Sequence, residues 1–188
     1  KELTSVDPKK IALKSRTRHP VTKEYLKKNN WVICEYPTNA LAQDAEMSLT
    51  EFEDFLFTAT NIDYKALSRK QTKLKKILDK GKHVKIIAPD TDLEFSIDGR
   101  TAIKCDGKRN IPDGEVFMAP VKTTVNGHIV YTYPAIKNGK EVDGIRLEFK
   151  NGRVIKATAT KNECFLKEMI SLDKGSCYIG EFGIGMNY

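Results

Sequence analysis

Apolar positions keep a helical spacing up to about residue 81 and a strand spacing beyond it. The stretch DPKKIALKSR reads as a short helix, with Asp7 as N-cap and Pro8 at the first helical position. WVICEYP reads as a compact apolar strand closed by Pro37. Ser48-Leu49-Thr50-Glu51 fits a capping box, in which Ser48 and Glu51 satisfy each other's free amides. It opens a helix over SLTEFEDFLFTAT, where Phe52, Phe55 and Leu56 form an i, i+3, i+4 stripe expected in the core. A further helix is predicted from near Asp63, with Tyr64, Leu67, Leu74, Ile77 and Leu78 on one face, lysines on the other and Gly81 at C′.

After Gly81, HVKIIAP, DLEFSI and AIKC read as strands. Asn151-Gly152 predicts a type I′ hairpin between IRLEFK and RVIKATA, and Asn126-Gly127 a second one between TTV and HIVYTY. One more helix is expected at about 162–172, with Leu166, Met169 and Ile170 facing inward. The predicted class is α+β: residues 1–81 as the C-terminal end of an α/β domain, and residues 82–188 as the start of a β-rich domain. A single clear strand in the first part cannot form a sheet alone, so that part reads as incomplete.

Charge adds one alternative. Of the net +7, residues 1–81 carry +5 and the remainder +2, concentrated in Lys9–Lys28 and Lys65–Lys80. A solvated lysine face accounts for this, and a basic non-catalytic module binding nucleic acid or an acidic partner is the competing reading. No apolar run approaches the roughly 20 residues that cross a bilayer, and no signal-peptide h-region is seen. Cys34, Cys105, Cys164 and Cys177 lack CxxC or zinc-knuckle spacing and read as reduced thiols. Both observations lead to the expectation of a cytoplasmic protein.

Phosphate-loop, dinucleotide, HExxH and GxSxG motifs are absent. His19, His83 and His128 are scattered, and no cysteine has a basic partner nearby in sequence. Two carboxylates stand out, Glu115 in NIPDGEVFMAP and Glu181 in YIGEFGIG, each after a glycine and before bulky apolar residues. Alternation puts Glu115 on the face of Phe117 and Ala119, so it is expected to aim into an apolar layer. A carboxylate there must be protonated, paired or metal-bound, and two that met would need a cation between them. The loop of Asp106, Lys108, Arg109, Asn110 and Asp113 just before Glu115 supplies further polar groups.

The blocks DTDLEFSIDGR, DGKRNIPDGEVFMAPV, VNGHIVYTYPA, GIRLEFKNGRV and GEFGIGMN, in this order, resemble the thermophilic aminopeptidase family of the AmpS and PepS kind. The resemblance implies a cytoplasmic, homodimeric, dinuclear metallo-aminopeptidase acting on peptides with a free N-terminus, with no membrane or nucleic-acid partner. It implies two divalent ions (zinc, cobalt, magnesium or manganese) and makes Glu115 and Glu181 metal ligands; their separation of 66 residues agrees with the family's. Either glutamate can also serve as the base, with Glu181 the candidate, and the catalytic assignment stays open. The family's two histidines, tyrosine and aspartate lie beyond the GEF block, whereas this chain ends seven residues after Glu181. None of His19, His83 or His128 matches a ligand position. The expectation is therefore an internal fragment, metal-poor and inactive alone.

Overall fold

The computed structural model describes residues 5–28, 30–137 and 139–188. In chain order the helical part holds α1 (Pro8–Lys27), β1 (Ile33–Cys34), α2 (Asn39–Asp44), α3 (Leu49–Thr60) and α4 (Tyr64–Lys80). There follow β2 (His83–Ala88), β3 (Thr91–Ser96), β4 (Ile103–Cys105), β5 (Asn110–Ile111), β6 (Glu115–Met118) and β7 (Asn126–Val130). The chain then forms β8 (Ala135–Lys137), β9 (Lys140–Val142), β10 (Arg146–Lys150), β11 (Arg153–Thr158), α5 (Glu163–Ile170) and β12 (Phe182–Gly185). Helices and mostly antiparallel sheets make the class α+β, as expected. No helix among the described residues is long and apolar enough to cross a membrane.

The chain divides into two units, each built from separated segments. Gly81 is one of the crossing points between them, but the chain crosses again after Arg100, after Met118 and after Glu181. Long-range strand pairing, which a linear change of period does not encode, causes this interleaving.

The first unit comprises the chain up to Lys27, Gly81–Arg100 and Ala119–Glu181. Its antiparallel sheet has the order β11-β10-β7-β3-β2. On β3, strict alternation buries Leu93 and Phe95 while Asp92 and Glu94 face out. Phe165 of α5 packs with Val142 and Ile145, and Leu166 and Met169 only flank that cluster. The β10–β11 hairpin turns at Asn151-Gly152, both with positive φ, as a type I′ turn requires. The expected hairpin at Asn126-Gly127 does not form. Gly127 sits inside β7 between Leu93 and Phe149, and a Cβ on it would lie 2.1 Å from the Asp92 carbonyl oxygen. That dipeptide serves close strand approach instead of a turn. Asp7 caps α1 by accepting from the Lys9 amide at 2.8 Å, but the helix runs on through Pro20 to Lys27, forgoing one backbone bond at the proline.

The second unit comprises Lys28–Lys80, Thr101–Met118 and Phe182–Tyr188. Its sheet has the order β12-β6-β4, and α4 lies against β4 and β6. WVICEYP contributes only the two-residue β1, paired in parallel with β5. The Ser48–Glu51 capping box is present in both directions. Two apolar stripes are narrower than expected. Phe55 is 60% exposed and Ile77 67%, while Phe52 and Leu56 pack with Ala42, and Leu67 and Leu78 bury the face of α4. Between those leucines lies a fully buried polar residue, Gln71.

Candidate metal centre

Glu115 opens β6 from a loop whose backbone is held by its own side chains. The Asp113 carboxylate accepts from the Gly107 and Gly114 amides at 2.9 and 3.0 Å. Asn187 donates its side-chain amide to the Asp113 and Ala59 carbonyls, both at 2.9 Å, and the Met186 amide donates to the Gly114 carbonyl at 2.6 Å. Gly114 has φ +149°, and a Cβ there would lie 2.5 Å from the Asn187 Cβ, so glycine is required for this close approach. In the sheet, Glu115 stands between Cys105 on β4 and Gly185 on β12. From the other side, Gln71 Nε2 donates to the Cys105 carbonyl at 2.8 Å and to the Glu115 carbonyl at 3.1 Å.

Glu115 shares a face with Phe117, as alternation predicts, but that face is not the apolar layer expected. Val116 and Met118 form the buried side of β6, whereas Glu115 and Phe117 are half-buried on the other. The carboxylate therefore avoids the apolar layer because the sheet packs its alternate residues inward. It lies instead over Gly183 of β12, whose missing side chain leaves the room: an added Cβ would be 2.8 Å from Oε2. By register, Ile103 and Cys105 share this face, and with Phe117, Lys104 and Arg109 they line a cavity of about 570 Å³.

Glu181 is exposed, directly ahead of β12, and is the last residue of the first unit. His19 lies in α1, His83 in β2 and His128 in β7, and none joins a ligand cluster. Among the described residues no group of three or more histidine, cysteine, aspartate or glutamate side chains is close enough to hold a metal ion. All four cysteines are free thiols.

The polar loop before Glu115 is tied inward. Asp106 accepts from the Ser68 hydroxyl at 2.8 Å and faces Lys104 and Lys108 at 3.5 and 3.4 Å. Burial pushes its carboxyl up, but the Ser68 hydrogen bond and the lysines outweigh burial and hold it below the usual carboxylate range. Arg109 stacks over Trp31, 5.4 Å from the ring centroid. These residues brace the site.

Hard divalent ions take carboxylate oxygens with open space around them. The Glu115 carboxylate, standing over a residue that has no side chain, offers such an oxygen. Sequence reasoning missed Gln71 and Asn187. Only Gln71 carried a local signal, a polar residue in the stripe of Leu67, Leu74 and Leu78.

Comparison with known proteins agrees in family. The chain is 28% identical to Aminopeptidase 2 of Geobacillus stearothermophilus over 97% of its own length and 51% of the relative's. It is 39% identical to Aminopeptidase AmpS of Bacillus subtilis over 75 residues, 40% of this chain and 18% of AmpS. The solved structure of AmpT from Thermus thermophilus shares the fold, with a TM-score of 0.73 and 24% identity over 97% of this chain and 52% of that one. The chain thus spans about half the length of Aminopeptidase 2 and of AmpT. The sequence profile of the thermophilic metalloprotease (M29) family matches residues 1–188, and the chain belongs to that family.

Proposed function

We propose that the chain carries part of the dinuclear metal centre of an aminopeptidase, with Glu115 and Glu181 as carboxylate ligands. The observation that carries this reading is the Glu115 carboxylate seated over Gly183 on a backbone held by Gln71, in a member of a metalloprotease family. The cofactors would be two divalent ions, zinc, cobalt, magnesium or manganese. When bound, such ions lower the pKa of water and polarise a carbonyl. Glu115 holds its ligand oxygen in a fixed place. Glu181, exposed ahead of β12, supplies a second oxygen and is able to take the proton of the attacking water. The substrate is a peptide with a free N-terminus, cleaved at its first bond. The working enzyme is a cytoplasmic homodimer, on the strength of the family resemblance alone.

By itself this chain holds zinc weakly, because imidazole and thiolate supply much of zinc's affinity and the two proposed ligands are both oxygen donors. Leucine-anilide hydrolysis with added zinc, cobalt or magnesium tests this directly. No turnover is expected from the chain alone, and turnover abolished by Glu181→Gln would overturn the claim. In a complete centre, to which histidine ligands are added, Glu115→Gln and Glu181→Gln are each expected to lower kcat/KM by about 100-fold or more.

A further inference from the structure

We propose that Gly183 is a positioning residue for the Glu115 carboxylate, acting by leaving empty the space that the carboxylate occupies; this rests on the reading of Glu115 as a metal ligand. The backbone beneath Glu115 has little freedom. It is paired on one side with Cys105 and on the other with Gly185, and Gln71 donates to its carbonyl from α4. The position of the carboxylate is then decided by the side-chain torsions and by what stands beside them. Gly183 of β12 stands beside the carboxylate, and by register Cys105 of β4 shares its face.

Three facts separate this from an ordinary strand glycine. A Cβ on Gly183 would lie 2.8 Å from Glu115 Oε2 and 3.9 Å from its Cδ, with Phe117 Cβ at an ordinary 3.6 Å, so the close approach is to the carboxylate oxygen alone. The Gly183 backbone lies outside the left-handed region, so alanine there meets no conformational penalty. The obstructed atom is the far end of a flexible side chain, so the substitution displaces the carboxylate and leaves the strand in place. Gly185, two residues on and directly opposite Glu115, has open space around its would-be Cβ and offers an internal control in the same strand.

The test uses the isotope-labelled chain with manganese(II) as the probe, since paramagnetic broadening of backbone amides detects weak sites. In the unaltered chain the amides of Glu115 and Val116 are expected to broaden saturably. Gly183→Ala is expected to raise the apparent dissociation constant read at these amides by about tenfold, in line with the loss of a group that orients a ligand. With no metal present, it is also expected to shift the Glu115 carboxyl carbon resonance, with the amide shifts of β4 retained. Gly185→Ala should do neither. Gly183→Ala behaving like Gly185→Ala in both readouts overturns the proposal. Saturable broadening absent from all three proteins would sink the metal reading instead, and the metal-free carbon shift would then decide the positioning role by itself.

Discussion

Asp106 shows how the polar loop ahead of Glu115 is braced. Its carboxylate, only 6% exposed, faces two lysines and accepts from Ser68. Asp106→Asn keeps an acceptor for the hydroxyl and removes the charge, at an expected cost of about 1–2 kcal/mol near neutral pH. Because the folded carboxyl sits below its usual value, this stabilisation is complete above the unfolded value of about 4 and is lost as pH falls through the folded one. Urea unfolding at about pH 7 and about pH 3 should therefore show the gap between wild type and Asp106→Asn closing in acid; an unchanged gap would refute the assignment. At this scale the sequence was only partly readable. The PDGE and GEF blocks pointed to Glu115 and Glu181, but which face of β6 packs inward depends on the helix laid against it. The need for glycine at 183 depends on a register with residues 65 or more positions earlier.

Two Asn-Gly pairs of the same local chemistry end in different elements. Asn151-Gly152 makes the turn that its dipeptide favours. Asn126-Gly127 lies inside β7, where Gly127, at φ +108°, lets the Asp92 carbonyl approach, and the Asn126 side chain accepts from the Asn151 amide at 2.9 Å. A positive φ is legible in such a pair, but its purpose is not, because the neighbour that demands it comes from another strand. Gly127→Ala should cost about 3 kcal/mol, combining backbone strain with a clash against main chain. Gly99→Ala, at φ +72° with nothing near its would-be Cβ, should cost only about 1 kcal/mol of strain. Equal losses in chemical denaturation would mean that the close approach in β7 carries no energetic weight. The exposed Phe55 and Ile77 teach a related lesson: spacing marks an apolar stripe, and the width that is buried is set by the partner surface.

At the scale of the whole molecule, the short segment Phe182–Tyr188 completes a unit whose other segments end at Met118. β12 pairs with β6, Met186 donates to Gly114, and Asn187 ties Asp113 to the end of α3 at Ala59. A linear reading placed a boundary near Gly81 because local period is all it registers, and a strand that returns after 63 intervening residues leaves no local mark. The dependence can be measured by hydrogen exchange on a chain shortened to end at Gly180. Without β12, β6 becomes an edge strand and its outward amides lose their partners. Peptides covering 103–118 are expected to exchange faster by an order of magnitude or more, whereas those covering the β10–β11 hairpin at 146–158, whose pairing lies wholly within the first unit, keep their protection. Unchanged protection over 103–118 would show that the Glu115 strand is held without β12. In that case the pairing with β4 and the Gln71 hydrogen bond fix the Glu115 backbone by themselves, and β12 contributes only the glycine beside the carboxylate.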